Sequence, residues 1–173
     1  MADALKYGLL ACLGMAAWML AEFALGLHGS RLAIGHYTSH GVEVILVLSL
    51  WRLHHHQLYA ANRYWLPLWQ ALLHGMLTSV VAAMGLYVFI TLYLHYLNPF
   101  FPDNYLQWLV GTWRDEGITE LVIRERAQAF RWSFGPVGRL LNTFGTCMLI
   151  SLVASPLLAL WLNWRRKEIV QTS

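Results

Sequence analysis

The chain has 173 residues, of which 58% are hydrophobic and only 12% charged, with a mean hydropathy of +0.47. Soluble domains carry about 25% charged residues, and a chain of this size has too much surface to hide such an apolar excess in a core. A water-soluble globule is excluded and lipid is the expected solvent. The net charge of +3 comes from basic residues at the ends of apolar runs. They do not interleave with aromatics as on a nucleic-acid surface, so no nucleic-acid partner is expected.

The first apolar run, residues 7–27, is long enough to cross about 30 Å of hydrocarbon. It exceeds a signal-peptide core and is expected to be a retained helix rather than a cleaved leader. Gly8 and Cys12, then Ala17 and Ala21, sit four apart, a spacing that lets helix backbones approach. A second span is expected over 37–56. Its continuous apolar stretch, 44–51, is too short to cross alone and needs 37–43 inside the bundle or a locally thin bilayer. Pro67 suits the first turn of a third span at 66–97, which Asn98, Pro99 and Pro102 bring to a stop.

Residues 98–136 form the one sizeable extramembrane stretch. Asp103 is expected to cap a helix with Leu106, Leu109, Val110 and Trp113 on one face, ended by Gly117. A second short helix, capped by Thr119, would carry a Glu120–Arg124 pair. Both read as amphipathic helices on the bundle or at the membrane surface. Pro136 opens a fourth span at 137–164, which Pro156 should kink. The fold class is therefore all-α: an integral membrane bundle of four transmembrane helices, with one extracytoplasmic amphipathic helical loop between helices three and four. Cys12 and Cys147 lie in apolar runs and read as small packing residues, not as a disulfide.

Four spans place the N-terminus, the 52–65 link and the C-terminus on one side, with Lys6, Arg52, Arg63, Arg165, Arg166 and Lys167. Arg31, Arg114, Arg124, Arg126, Arg131 and Arg139 fall on the other. The counts tie, but the Arg165-Arg166-Lys167 tail abuts a span end, where basic residues govern orientation most strongly. Both termini are thus expected in the cytoplasm. Trp51, Trp65, Trp69, Trp161 and Trp164 would form the inner aromatic belt, and Trp108, Trp113 and Trp132 the outer one.

Ionisable groups in spans invite a functional reading. Topology gathers Glu22, His28, Arg31, His36, Tyr37, His40, Glu43 and His95 toward the outer end. As a site, this cluster suits a proton relay, a transition-metal centre or a small-ligand pocket. The competing reading is a structural network in which Arg31 neutralises the buried carboxylate. Consecutive histidines 54–56 point in different directions on a helix and read as juxtamembrane decoration. His74 lacks the facing histidine that axial haem ligation requires. Asn142 and Thr146 share one face of the last span, where interhelical hydrogen bonding is expected. Motifs of nucleophilic, zinc-hydrolase or phosphate-binding chemistry are missing, which speaks against an enzyme.

The residues Lys6-Tyr7-Gly8, then Glu22-Phe23 followed by Gly26-Leu27-His28, then Ile34-Gly35-His36-Tyr37-Thr38 form a recognisable series. With the Asn98-Pro99-Phe100 exit and the basic end of the final helix, the chain resembles the bacterial membrane proteins of the "domain of unknown function 4199" family. The resemblance implies four helices in a bacterial inner membrane and no assigned activity. It groups Glu22, His28, Gly35, Tyr37 and Thr38 as one patch. The histidine run at 54–56 and a second span rich in Leu and Val depart from that pattern.

The expected function is that of a non-enzymatic helper, assembly or interaction subunit. The alternative is a small proton- or metal-linked carrier using the outer His/Glu cluster. No cofactor is expected. The expected partners are the lipid bilayer and a membrane protein or a second copy of the chain.

Overall fold

The computed structural model describes residues 1–60 and 64–172, with side chains described as far as Glu168. Arg63, one of the basic residues weighed above, lies outside the described residues. In chain order the helices are α1 (Ala2–Ala24), α2 (Leu32–Thr38), α3 (Gly41–His55), α4 (Leu68–Leu92), α5 (Phe101–Asp115), α6 (Glu120–Phe134) and α7 (Pro136–Thr172). Helices α3 and α4 each end in a wider π-helical turn, His56–Ala60 and Tyr93–Leu97.

Among the described residues, three helical stretches are long and apolar enough to cross a membrane: Ala2–Ala24, Leu68–Leu97 and Pro136–Glu168. Only 22%, 33% and 28% of their most apolar windows are covered by protein. Leu9, Leu13, Val88, Leu149 and Val153 instead point outward, as lipid-facing side chains do. The expected second span differs. It is divided at Ser39–His40 into the short α2 and the 15-residue α3. Thr38 and Ser39 turn their hydroxyls back onto the carbonyls of Gly35 and His36, at 3.3 and 2.8 Å. Such back-bonding offers the chain an alternative to continuing the helix.

Helices α1 and α4 run parallel. Thr78, midway along α4, donates to the Ala4 carbonyl near the start of α1 at 3.2 Å, and Phe23 meets Tyr93 edge-on at 5.7 Å near the ends of both. Helices α3 and α7 run the opposite way. Trp18 near the end of α1 donates to the carbonyl of Thr38 at 3.1 Å, just before α3 begins. Asp3 at the start of α1 lies 3.8 Å from His56 at the end of α3.

Small residues set the closeness of these contacts, in keeping with membrane-helix packing. A Cβ on Gly8 would strike Val81 and the Thr78 carbonyl, one on Gly85 would strike Cys12, and one on Gly75 would strike Ser155 and Ser151. Gly8 and Cys12 thus face α4 as their spacing suggests, whereas Ala17 and Ala21 are exposed. Pro156 sits inside α7 without ending it. At the end holding the chain termini, Leu58, Leu66, Ala71, Ala159 and Leu162 form a closed apolar cluster. Beside it the Asn163 amide accepts from the Leu66 N–H and donates to the Leu66 carbonyl, both at 2.9 Å.

The 98–136 region forms the hairpin of α5 and α6. Helix α5 starts at Phe101, so Asp103 lies in its first turn rather than capping it. An acid there still faces the positive end of the helix dipole. Gly117, at φ 77°, ends α5. The N–H groups of Gly117 and Ile118 fold back onto the carbonyls of Arg114 and Trp113, a left-handed cap that spares exposed carbonyls. Thr119 precedes α6 without a side-chain cap bond. Glu120 receives the Arg114 Nε–H at 2.8 Å across the turn, so its hydrogen-bonded ion pair joins α5 to α6 rather than linking Glu120 to Arg124 along α6.

Candidate functional site

Helix α1 ends in the same kind of cap as α5. Gly26 takes φ 74°, and the N–H groups of Gly26 and Leu27 return to the carbonyls of Phe23 and Glu22 at 3.0 and 2.9 Å. Glycine adopts that conformation without the penalty of a Cβ. The reversal tucks Leu27 inside and brings His28 back over Glu22, both of them buried. Gly35 then packs so tightly on the Leu27 carbonyl that a Cβ there would collide with it.

Glu22 is 3% exposed, and its partners are His28 Nε2 at 3.3 Å and the Thr38 hydroxyl at 2.5 Å. Arg31, expected to neutralise it, is exposed and is not that partner. The hydrogen-bond directions are fixed by chemistry. Asn98 Nδ2 donates to the Tyr93 oxygen at 3.0 Å. An ionised Glu22 carboxylate only accepts, so His28 Nε2 carries the hydrogen that faces it, and Nδ1 of the neutral ring then accepts the Tyr93 O–H at 2.6 Å. Neutral His28 satisfies every member of this chain. Burial holds its pKa below the ordinary 6.5, an effect that the carboxylate of Glu22 only partly offsets.

A partly open cavity of about 360 Å³ lies beside this chain, within the range of small-molecule sites. Its floor and walls are apolar, with Met15, Leu46, Leu86 and Ile150 among them. Glu22, His28, His36 and Glu43 line it on one side, and Asn142, Thr143 and Thr146 of α7 on another. Phe101, Tyr105 and Phe134 of the α5–α6 hairpin cover it. Tyr105 stacks between Phe101 and Trp108 at 5.6 and 5.7 Å and bonds His36 Nδ1 at 2.5 Å. Burial pushes the Tyr105 phenol above its usual value.

Of the eight residues singled out by topology, Glu22, His28, His36 and Glu43 come to this cavity. His40 is 71% exposed and pairs with Glu43 at its rim, at 3.3 Å. Tyr37 is exposed, and exposed His95 packs on Tyr96 with ring centres 4.5 Å apart. Among the described residues, no three His, Cys, Asp or Glu side chains converge to hold a metal ion.

Tyr93 and Tyr105 are not singled out by the sequence, and Asn98 reads there only as a helix stop; their contacts with His28, His36 and Tyr93 appear only in the folded structure. Asn142 and Thr146, expected to bond a neighbouring helix, line the cavity instead. His54 is not surface decoration: it is fully buried, 3.5 Å from Gln57, and Gln57 bonds His74 at 2.8 Å. Histidines 55 and 56 turn elsewhere, onto Tyr59 and Asp3.

No curated protein and no solved structure matches the chain. The model of the family described as "Protein of unknown function (DUF4199)" matches residues 6–163, a stretch that contains Glu22, the Gly26 turn, the cavity and its helical cover. The chain belongs to the DUF4199 family.

Proposed function

We propose that the protein is a four-span, non-enzymatic helper subunit of a bacterial inner membrane, with both termini in the cytoplasm, which receives a small amphipathic molecule in the outer-end cavity. Chain direction supports the fourth crossing. Helices α1 and α4 are parallel, so a chain that crosses twice in the same sense has to return between them. Helix α3 and its π-helical turn occupy residues 41–60, about 30 Å at 1.5 Å per residue.

Charge supports the orientation. At the end with the termini, Lys6, Arg52, Arg165 and Lys167 lie over Tyr7, Trp51, Trp161 and Trp65, and Arg166 lies over Tyr59 and Tyr64. Cations stacked on aromatic rings are suited to the inner interface. A fluorescent protein fused to the C-terminus is expected to be bright; a dark fusion with an active phosphatase reporter at the same position would reverse the orientation.

The observation that carries the binding reading is the cavity itself, apolar in depth and polar at one end. Native mass spectrometry of protein extracted in mild detergent is expected to find a bound small amphiphile. Thr146→Trp should displace it by filling the cavity. A ligand retained unchanged in that variant would refute the assignment.

The hydrogen-bond chain from Asn98 through Tyr93 and His28 to Glu22 favours a second reading, a proton-linked carrier. In that case Glu22→Gln abolishes transport while the protein stays folded in the membrane.

A further inference from the structure

The face of α7 that borders the cavity changes character along its length. Arg139, Asn142, Thr143, Thr146, Cys147 and Ile150 recur at steps of three and four, the spacing of one helical face. Arg139 lines a second cavity of about 230 Å³, which shares Asn142 and Thr143, together with Met19, Ile90, Phe101 and Phe134, with the first. From Arg139 to Ile150 the face runs about 16 Å along the helix axis, from a cation through amide and hydroxyl groups to sulfur and hydrocarbon.

The two charged poles of this combined space differ in what they lack. Both oxygens of Glu22 are already engaged, by Thr38 and His28. Arg139 Nε is buried and has no hydrogen-bond partner among the described residues. A buried donor left unmatched is costly, so the unmet demand is for an acceptor, and a charged acceptor answers it best.

We propose that the joined cavities bind a single-chain amphiphile with a carboxylate head, the head on Arg139, Asn142 and Thr143 and the tail toward Met15, Leu46 and Ile150. A monoanion fits better than a phosphate, because Glu22 and Glu43 line the same space and repel a second negative charge. One chain fits better than two, given the volume. This inference rests on the cavity being the binding site and adds the chemistry of the ligand.

The test uses the full-length protein in a neutral maltoside detergent. Three probes with the same fourteen-carbon chain are titrated separately: a carboxylate, a trimethylammonium and a monophosphate. Native mass spectrometry reads the occupancy. The carboxylate is expected to bind about tenfold tighter than either of the others, the scale of one charge-assisted contact. Arg139→Gln should weaken the carboxylate about tenfold without weakening the ammonium, and Arg139→Lys should restore most of the loss.

Ammonium or phosphate binding as tight as carboxylate, or equal carboxylate binding in Arg139→Gln and the native protein, would overturn the proposal. Should Arg139→Gln fail to fold, the ranking of the three probes on the native protein decides it. Thr146→Trp separates the layers. If it leaves every probe bound, the cavity is not the site. If it removes them all while Arg139→Gln has no effect, only the headgroup assignment fails.

Discussion

The Thr38 hydroxyl donates to the Glu22 carboxylate at 2.5 Å, so a buried acid near the end of α1 holds the last residue of α2 in place. The other carboxylate oxygen faces His28, and the acid has a partner on each side.

Replacing Thr38 by Val removes one of these partners and keeps the shape. The carboxylate is then buried with a single neutral donor, and the loss is expected to be about 1–3 kcal/mol. Thermal unfolding in detergent, followed by tryptophan fluorescence, should give a lower midpoint than the native protein. An unchanged midpoint would mean that the bond contributes nothing.

The His28 pKa is lowered by burial despite Glu22, which sets a pH dependence. The unfolded chain takes up a proton at His28 near 6.5, while the folded protein resists it to lower pH. The unfolded state therefore binds more protons in that window, and its share of the stability, complete above about pH 6.5, declines as pH falls. The unfolding midpoint should drop between pH 7.5 and 5.5. His28→Gln should flatten that drop; an equally steep dependence in the variant would assign it to other groups.

Two glycine substitutions should act with opposite sign. A Cβ on Gly35 meets the backbone carbonyl of Leu27, which has no side-chain freedom to yield, whereas a Cβ on Gly111 meets nothing within 4 Å. Gly35→Ala is expected to destabilise by about 1–3 kcal/mol. Gly111→Ala, in the interior of α5, should stabilise by about 0.5–1 kcal/mol. Parallel melts of the two variants test the pair, and a shift of the same sign in both would refute it.

Asn163→Leu leaves the Leu66 N–H and carbonyl without their amide partner. Each buried group so orphaned costs about 1–3 kcal/mol. Hydrogen exchange should reveal a faster Leu66 amide in the variant; protection equal to the native protein would count against the assignment.

Much of the architecture was legible because it depends on short-range rules. Apolar runs located α1, α4 and α7, Gly117 marked the end of α5, and Pro136 opened α7. The alternation of chain direction also put Glu22, His28, His36 and Glu43 at one end. The expected Arg31–Glu22 pair went wrong for a local reason. The left-handed turn at Gly26 folds His28 back under α1, while the Arg31 N–H bonds the Gly26 carbonyl and the residue remains exposed. Other contacts were beyond a linear reading. Tyr93 with His28 and Asn163 with Leu66 join residues 65 and 97 positions apart, and such pairs depend on how each helix is rotated about its own axis. The polar-to-apolar face of α7 was written at regular spacing, but its polar residues resemble ordinary interhelical glue until a space opens beside them.

The buried cluster of Leu58, Leu66 and Leu162 fills the end of the bundle opposite the space under α5 and α6, which leaves that space at one end of the bundle. A molecule crossing the full thickness would need those leucines to part, or a neighbouring subunit to supply the remaining half of the route.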